Sequence, residues 1–434
     1  MKKIIPIIIL TIASALLIFY RFSDIPKYLA FDEVEFTKLA LSLNNKPCIP
    51  YSQMATGHST LYFYILLASL KTFGINTFAL RFPAAIFGIL SVTIFYLIIK
   101  KAFEQLNNLP SGRQGETMKQ FLPFFLTLIL LSSRWFLNFS RFSFEVTFLL
   151  FLELTSIFFL IKTVFQKERL SLIFSGIFAG LAFLSYTPGR IFFLLPLSFL
   201  VFQLFNSLTR KQFSNMAIKQ LLYFLVPFII MIIPLTSYLL TNKDNRVDQQ
   251  FFLKNNEMTI NEKASGLWSN ISSTALMFFI KGDMNGRHNY PGKPALNPIL
   301  GILFIIGLVI SIKNWKNPYN FFSIFYFLLS IFPALMTYPW ENPNMLRTYT
   351  VLPSVIYFIG NAIVVLDETA LKILKNKMKL PKYFILNTLY FLLIFSSFYE
   401  LRTYFKYQSL VFKESFEIRL PLDKAIKLPY EKKP

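Results

Sequence analysis

The stretch FDEVEF places three carboxylates, Asp32, Glu33 and Glu35, within four positions, just beyond the first apolar run of the chain. A carboxylate held at the rim of a bilayer can take a proton from a hydroxyl as general base, while a membrane-bound substrate approaches from the side. The same residues suit helix capping. With Asp32 as N-cap, Glu35 falls three positions on, a D-x-x-E variant of the capping box, and acidic side chains favour a helix N-terminus. Capping leaves Glu33 without a role, and it is compatible with catalysis by Asp32.

Other residues could serve the same chemistry. Arg81 heads one apolar span and Arg347, in PNMLRTYT, heads another. A guanidinium at such a boundary matches phosphate oxygens, although it can equally snorkel to the interface. His58 precedes a short apolar segment and could touch substrate or serve structure alone. Asp283, Arg287 and His288 belong to GDMNGRHNYPG, a turn-rich polar run suited to sugar hydroxyls or to a plain surface loop. Arg141 and Glu145 in SRFSFE stand four apart, so one helix face could pair them; substrate contact by Arg141 is the alternative. Glu153 lies deeper in the same apolar segment, where it should be buried among helices or neutral.

The elements that must position these residues are membrane spans. Of 434 residues 54% are hydrophobic and only 15% charged, against about 25% charged in soluble proteins. Runs near 4–20, 79–99, 120–136, 143–163, 170–186, 190–208, 220–240, 297–313, 319–338, 348–366 and 383–399 predict an all-α polytopic protein with about eleven spans. The apolar part of STLYFYILLASLKTFG (59–74) is too short to span and reads as an interfacial helix. Phe36, Leu39, Ala40 and Leu43 repeat at helical spacing, predicting an amphipathic helix on the outer leaflet. This arrangement puts the N-terminus and the loops KKAFEQLNNLPSGRQGETMK, KTVFQKER, TRKQFSNMAIK, KNWKN and LDETALKILKNKMKLPK in the cytoplasm, satisfying the positive-inside rule. Residues 21–78 and 242–296 then form outer loops. RWFLNFSRFSFE, SYTPGR and TYPWENPNMLRTY form outer turns, and 401–434 a short basic outward-facing tail. The net charge of +22 falls to loops that can meet anionic lipid headgroups, with no nucleic-acid-binding motif. Cys48 is the only cysteine, and His58 and His288 lack zinc-ligand spacing.

FDEVEF resembles the first outer-loop signature of the protein O-mannosyltransferases and their bacterial relatives, including the lipid A aminoarabinose transferases, which are GT-C glycosyltransferases. GHSTLYFYILLASLKTFG stands where that family places a short helix opening in a His-Pro-Pro-Leu-like turn, and ALRFPAAIFGILSVTIFYLI resembles its Arg-led second span. Looser matches extend through GDMNGRHNYPGKPALNPILGILFIIGL and PNMLRTYTVLPSVIYF. The chain departs from the mannosyltransferases at Glu35, often His there, and at Ser59 and Thr60, which replace paired prolines. The resemblance implies a GT-C-like domain over 1–400 in a cell (inner or plasma) membrane, its site facing the periplasm or exterior. It implies transfer of a sugar, with inversion, from a polyprenyl-phosphate donor to a lipid, glycan or protein hydroxyl. Asp32 would be the base and Glu33 its helper. Arg81 and Arg347 would hold donor phosphate, and His58, Arg141, Asp283, Arg287 and His288 would contact substrate. No cofactor is expected, although Asp32 and Glu33 could hold a divalent cation. A lipid-linked saccharide flippase and a non-catalytic envelope assembly subunit are the competing readings. The scarcity of ionisable residues within the spans favours surface chemistry over translocation.

Overall fold

A computed structural model describes residues 4–107, 120–166, 168, 170–209, 215–377 and 384–429. Much of the loops read as cytoplasmic, at 108–119, 210–214 and 378–383, lies outside the described residues. Long apolar runs close their backbone hydrogen bonds within one segment, so the chain is built from helices joined by short turns. In order these are α1 (Ile5–Phe19), α2 (Phe31–Ser42), α3 (Leu61–Phe73), α4 (Thr77–Asn107), α5 (Leu122–Ser132), α6 (Arg134–Ser140), α7 (Val146–Gln166), α8 (Ser171–Ser185), α9 (Leu194–Thr209) and α10 (Asn215–Thr241). There follow α11 (Asn245–Gln250), α12 (Ile260–Met277), α13 (Pro298–Lys313), α14 (Pro318–Leu335), α15 (Leu352–Lys377), α16 (Phe384–Arg402), α17 (Ser409–Ser415) and α18 (Leu422–Ala425). A two-residue hairpin, β1 (Tyr51–Ser52) with β2 (His58–Ser59), turns through Gly57 at φ 97°, a conformation that suits glycine.

Six helices among the described residues are long and apolar enough to cross a membrane, or seven if the bent pair α5–α6 is one span. The all-α polytopic architecture holds, and the pairs follow chain order: α4 packs on α7, α8 between α7 and α10, and α13 on α15. The expected spans over 4–20, 170–186 and 297–313 correspond to apolar helices of 10–17 residues. The α7 and α15 spans are 78% and 89% buried, so they form the centre; that of α10 is 17% buried and turns Ile229, Ile230 and Ile233 outward. Small residues allow the closest approaches. A Cβ on Gly176 would stand 2.2 Å from the Phe224 carbonyl oxygen, and one on Gly307 1.7 Å from that of Phe358.

Three local expectations are corrected. RWFLNFSRFSFE is a buried, partly helical segment and not a plain turn. Within it α6 leaves α5 at a 61° bend, because Arg134 is drawn to Glu400 (2.5 Å) and to the Pro294 carbonyl. Helix α2 begins two residues earlier than the Asp32 cap implies. Ala30 is the N-cap, and Glu33 at the third helical position accepts its N–H at 3.1 Å. The apolar face of α2 does not lie open to the leaflet. Phe36, Leu39, Ala40 and Leu43 are buried, and α2 packs against α3.

Candidate active site

Where segments from 31–58, 246–288, 341–347 and 417–428 converge, a cavity of about 1390 Å³ opens. Helix α2 contributes Asp32 and Glu35, and the hairpin contributes His58. Arg246 comes from α11, and Asp283, Arg287 and His288 from the 282–292 turn; Glu341 and Arg347 come from the segment before α15. Segments far apart along the chain thus meet at one place.

Asp32 sits in the first turn of α2, and its Oδ2 accepts from Arg287 Nη1 at 2.7 Å, with both side chains partly exposed to the cavity. The turn that delivers Arg287 is built by nested side-chain hydrogen bonds. Asp283 Oδ1 accepts from the Asn285 N–H at 2.8 Å, and Asn285 Oδ1 from the Arg287 N–H at 3.0 Å. Asp283 Oδ2 faces His288 Nδ1 at 3.0 Å and accepts from the Met345 N–H at 2.8 Å, which orients the imidazole and ties the turn to the Arg347 segment. From α6, Asn138 donates to the carbonyls of Arg287 (2.7 Å) and His288 (3.2 Å).

On another wall, α11 is anchored by its cap. Asp244 accepts from the Val247 N–H at 3.2 Å and from the Tyr51 hydroxyl at 2.8 Å, and it pairs with Arg190. Burial raises the Asp244 carboxyl, but Arg190 and these hydrogen bonds outweigh it and leave the group below its ordinary value. Arg246, next but one in sequence, is buried, with its guanidinium 5.1 Å from the Tyr186 ring centre and against His58. Arg347 pairs with Glu341. A smaller apolar groove of about 150 Å³, lined by Ile191, Val247, Phe251, Phe332 and Met336, shares Tyr186, Arg246, Gln250 and Arg347 with the large cavity.

Asp32, His58, Asp283, Arg287, His288 and Arg347 therefore all reach the cavity wall. Glu33, Arg81 and Arg141 do not line it. Glu33 is fully buried, and its two oxygens bind Arg81 Nε at 2.7 Å and Nη2 at 2.8 Å. Arg81 also donates to the carbonyls of Pro26 (2.5 Å) and Tyr28 (2.8 Å), so it fastens the loop that leads into α2. Arg141 ignores Glu145. It donates to the carbonyls of Leu17, Ile18, Arg21 and Ile25, from 2.7 to 3.3 Å, capping the end of α1 where helical carbonyls lack partners. Asp32 and Glu33, the carboxylates that could hold a divalent cation, face different arginines, Asp32 toward Arg287 and Glu33 toward Arg81. Among the described residues no group of three or more His, Cys, Asp or Glu comes together as a metal site.

Three features were not anticipated. Arg246 lies in NKDNRVDQQ, where nothing in spacing separates it from its charged neighbours. Glu145 meets His58, 87 positions away, at 2.5 Å. The short basic tail after residue 400 folds back onto the first loop, a contact its sequence did not announce. Leu29 and Ile418 exchange both backbone hydrogen bonds at 3.0 Å, and Glu417, Arg419 and Leu428 complete the cavity wall.

The sequence matches no described protein family and no curated protein. Its fold does match solved structures. ArnT from Cupriavidus metallidurans bound to undecaprenyl phosphate superposes with a TM-score of 0.53 at 12% identity, over 97% of this chain and 77% of that one. The archaeal oligosaccharyltransferase AglB from Archaeoglobus fulgidus, in complex with an inhibitory peptide and a dolichol-phosphate, gives 0.51 at 14% identity, over 95% of this chain and 56% of that one. Both are GT-C glycosyltransferases, and the chain is a polytopic membrane protein with that fold.

Proposed function

We propose that this protein is an integral-membrane glycosyltransferase that moves a sugar from a polyprenyl-phosphate carrier to an acceptor hydroxyl on the outer face of the membrane. The observation that carries the reading is the wall shared by the charged cavity and the apolar groove. An isoprenoid chain needs an apolar channel and its phosphosugar a polar chamber, and Arg246 and Arg347 stand at the junction where the phosphate would lie. The likeness to structures that hold undecaprenyl phosphate and dolichol-phosphate supports the same carrier class.

In this reaction Asp32 takes the proton of the acceptor hydroxyl as its oxygen attacks the anomeric carbon. The bond from that carbon to the phosphate oxygen breaks with its electron pair, so the carrier leaves as a polyprenyl phosphate and the configuration inverts. The arginines at the junction stabilise the charge that gathers on the leaving phosphate. Arg287 holds the Asp32 carboxylate in place, and the Asp283–His288 pair offers an oriented imidazole to sugar hydroxyls.

The test is transfer from a panel of polyprenyl-phosphate sugars by purified protein in lipid nanodiscs. Loss of the base should reduce turnover by about 10²–10⁴-fold, so Asp32→Asn is expected to be nearly silent while remaining folded. Full activity in Asp32→Asn would remove the aspartate from the chemistry. Consumption of no donor by the wild type, with lipid-linked sugar flipped across vesicles, would replace the enzyme reading with a transporter.

A further inference from the structure

Helix α12 carries an apolar face that neither the bundle nor the cavity uses. Its sequence, INEKASGLWSNISSTALM, is too polar to count as a span. One side of it is fixed to the protein: Gly266, Asn270, Thr274 and Met277 recur at helical spacing and are buried. Asn270 Nδ2 donates to the carbonyls of Leu335 (2.9 Å) and Thr337 (2.6 Å), and Asn270 Oδ1 accepts from Asn342 at 2.9 Å. Gly266 admits Phe252 and Pro339 close to the helix axis. Helix α12 is therefore clamped at the end of α14, a helix long and apolar enough to span, where such a span leaves the hydrocarbon layer.

The opposite side is not the polar face that water would favour. Ala264, Trp268, Ile271 and Ala275 follow one another at helical spacing and are exposed, Trp268 by 70%. Polarity is graded along this face. Asn261 and Glu262 are exposed at its start, where Thr259 and Glu262 cap each other. From Trp268 to Ile280 the exposed positions are apolar apart from Ser269, and Ile280 is 67% exposed. Just past the helix, Phe278 and Phe279 pack on Phe304 of α13 at centroid distances of 5.3 and 5.7 Å. Helix α13 in turn exposes Ile302, Ile305, Val309 and Ile312 at helical spacing, so the apolar end of α12 adjoins a helix surface of the kind that meets lipid.

We propose that α12 is an interfacial helix whose occupied partner is the bilayer itself. The face from Trp268 to Ile280 lies among the acyl chains of the leaflet on the cavity side, and the Thr259–Lys263 end stays at the headgroups. A membrane boundary imposes this change of polarity along one helix. The amphipathic indole of Trp268 settles at headgroup level, and Lys281, exposed directly after Ile280, extends its ammonium back toward water. Through Asn270 the membrane contact reaches Thr337 in the wall of the apolar groove and Asn342 in the wall of the charged cavity.

Spin-label accessibility tests this without requiring catalysis. Cys48 is the only cysteine and is exposed, so Cys48→Ser provides a background for single nitroxides at Trp268→Cys, Ile271→Cys and Ile280→Cys. Asn261→Cys is the headgroup reference. The full chain is reconstituted in phosphatidylethanolamine–phosphatidylglycerol vesicles, and collision with oxygen is compared with collision with a water-soluble nickel chelate. All the sites are exposed, so the thermal midpoints should stay near that of the background protein, and Ala275→Cys replaces any variant that melts early. The ratio of oxygen to nickel collisions should be several-fold higher at 268, 271 and 280 than at 261, and highest at 280. Nickel contact at the three sites equal to that at 261 would place the face in water and overturn the proposal. Exclusion of both reagents would overturn it as well, since protein would then cover the face; dipolar coupling between labelled copies would identify that cover as a second copy of this chain.

Discussion

At the scale of single residues, Arg81 and Glu33 show how a charge at the membrane boundary can be committed to the protein. Arg81 is fully buried, and its donors meet both oxygens of Glu33 and two loop carbonyls, so a phosphate would have to displace four good hydrogen bonds. Breaking a buried pair by removing one partner leaves an uncompensated charge and costs about 3–5 kcal/mol. Glu33→Gln and Arg81→Gln should therefore lower the thermal midpoint in detergent sharply, while the folded fraction keeps its affinity for polyprenyl phosphate. A variant of normal stability with weakened carrier binding would return Arg81 to the phosphate site. The residue types and their place at a span end were legible in the sequence. Their partners were not, because the Pro26 and Tyr28 carbonyls, like the four that Arg141 caps, are backbone atoms with no signature of their own. Asp32, His288 and Arg347 were legible because each stands in a polar stretch that the topology leaves outside the bundle.

At the scale of elements, the cavity depends on short pieces fixed by caps more than on the spans. Helix α11 has only six residues, too few to persist alone, and Asp244 joins it to Arg190 and to the hairpin through Tyr51. The folded state holds the Asp244 carboxyl below the ordinary value of 3.8. A depressed carboxyl adds stability above its unfolded value, and that contribution is lost as pH falls through the folded one. Thermal melts should therefore show a loss of stability beginning near pH 4 and continuing below it. Asp244→Asn should be less stable than wild type at pH 7 and should lack the Asp244 part of this acid dependence; identical pH curves for the two proteins would remove the cap from the account. The apolar helices themselves were readable because long apolar runs leave few alternatives. The bend at α5–α6 was not readable, since it follows from Arg134 reaching Glu400 and Pro294, far along the chain.

At the scale of the whole molecule, the two ends of the chain close around the site. Leu29, just before α2, pairs with Ile418, and Phe416 packs beneath the Arg81 guanidinium at 5.8 Å and against Phe142 at 5.3 Å. The same segment brings Glu417 and Arg419 to the charged cavity, yet no described residue of the tail lines the apolar groove. That division gives a prediction about which substrate the tail serves. Ile418→Pro removes the N–H that binds the Leu29 carbonyl and restricts Glu417. One neutral hydrogen bond is worth about 1 kcal/mol, small against a bundle of this size, so the protein should still fold. The isoprenoid chain and its phosphate would keep their wall, so the Kd for polyprenyl phosphate should change little. The polar chamber would lose its fixed edge beside Asp32, so KM for the acceptor should rise several-fold. Parallel titrations of carrier and acceptor distinguish the two effects. An equal loss for both would mean that the tail supports the site as a whole, and unchanged KM would mean that the acceptor enters by another side.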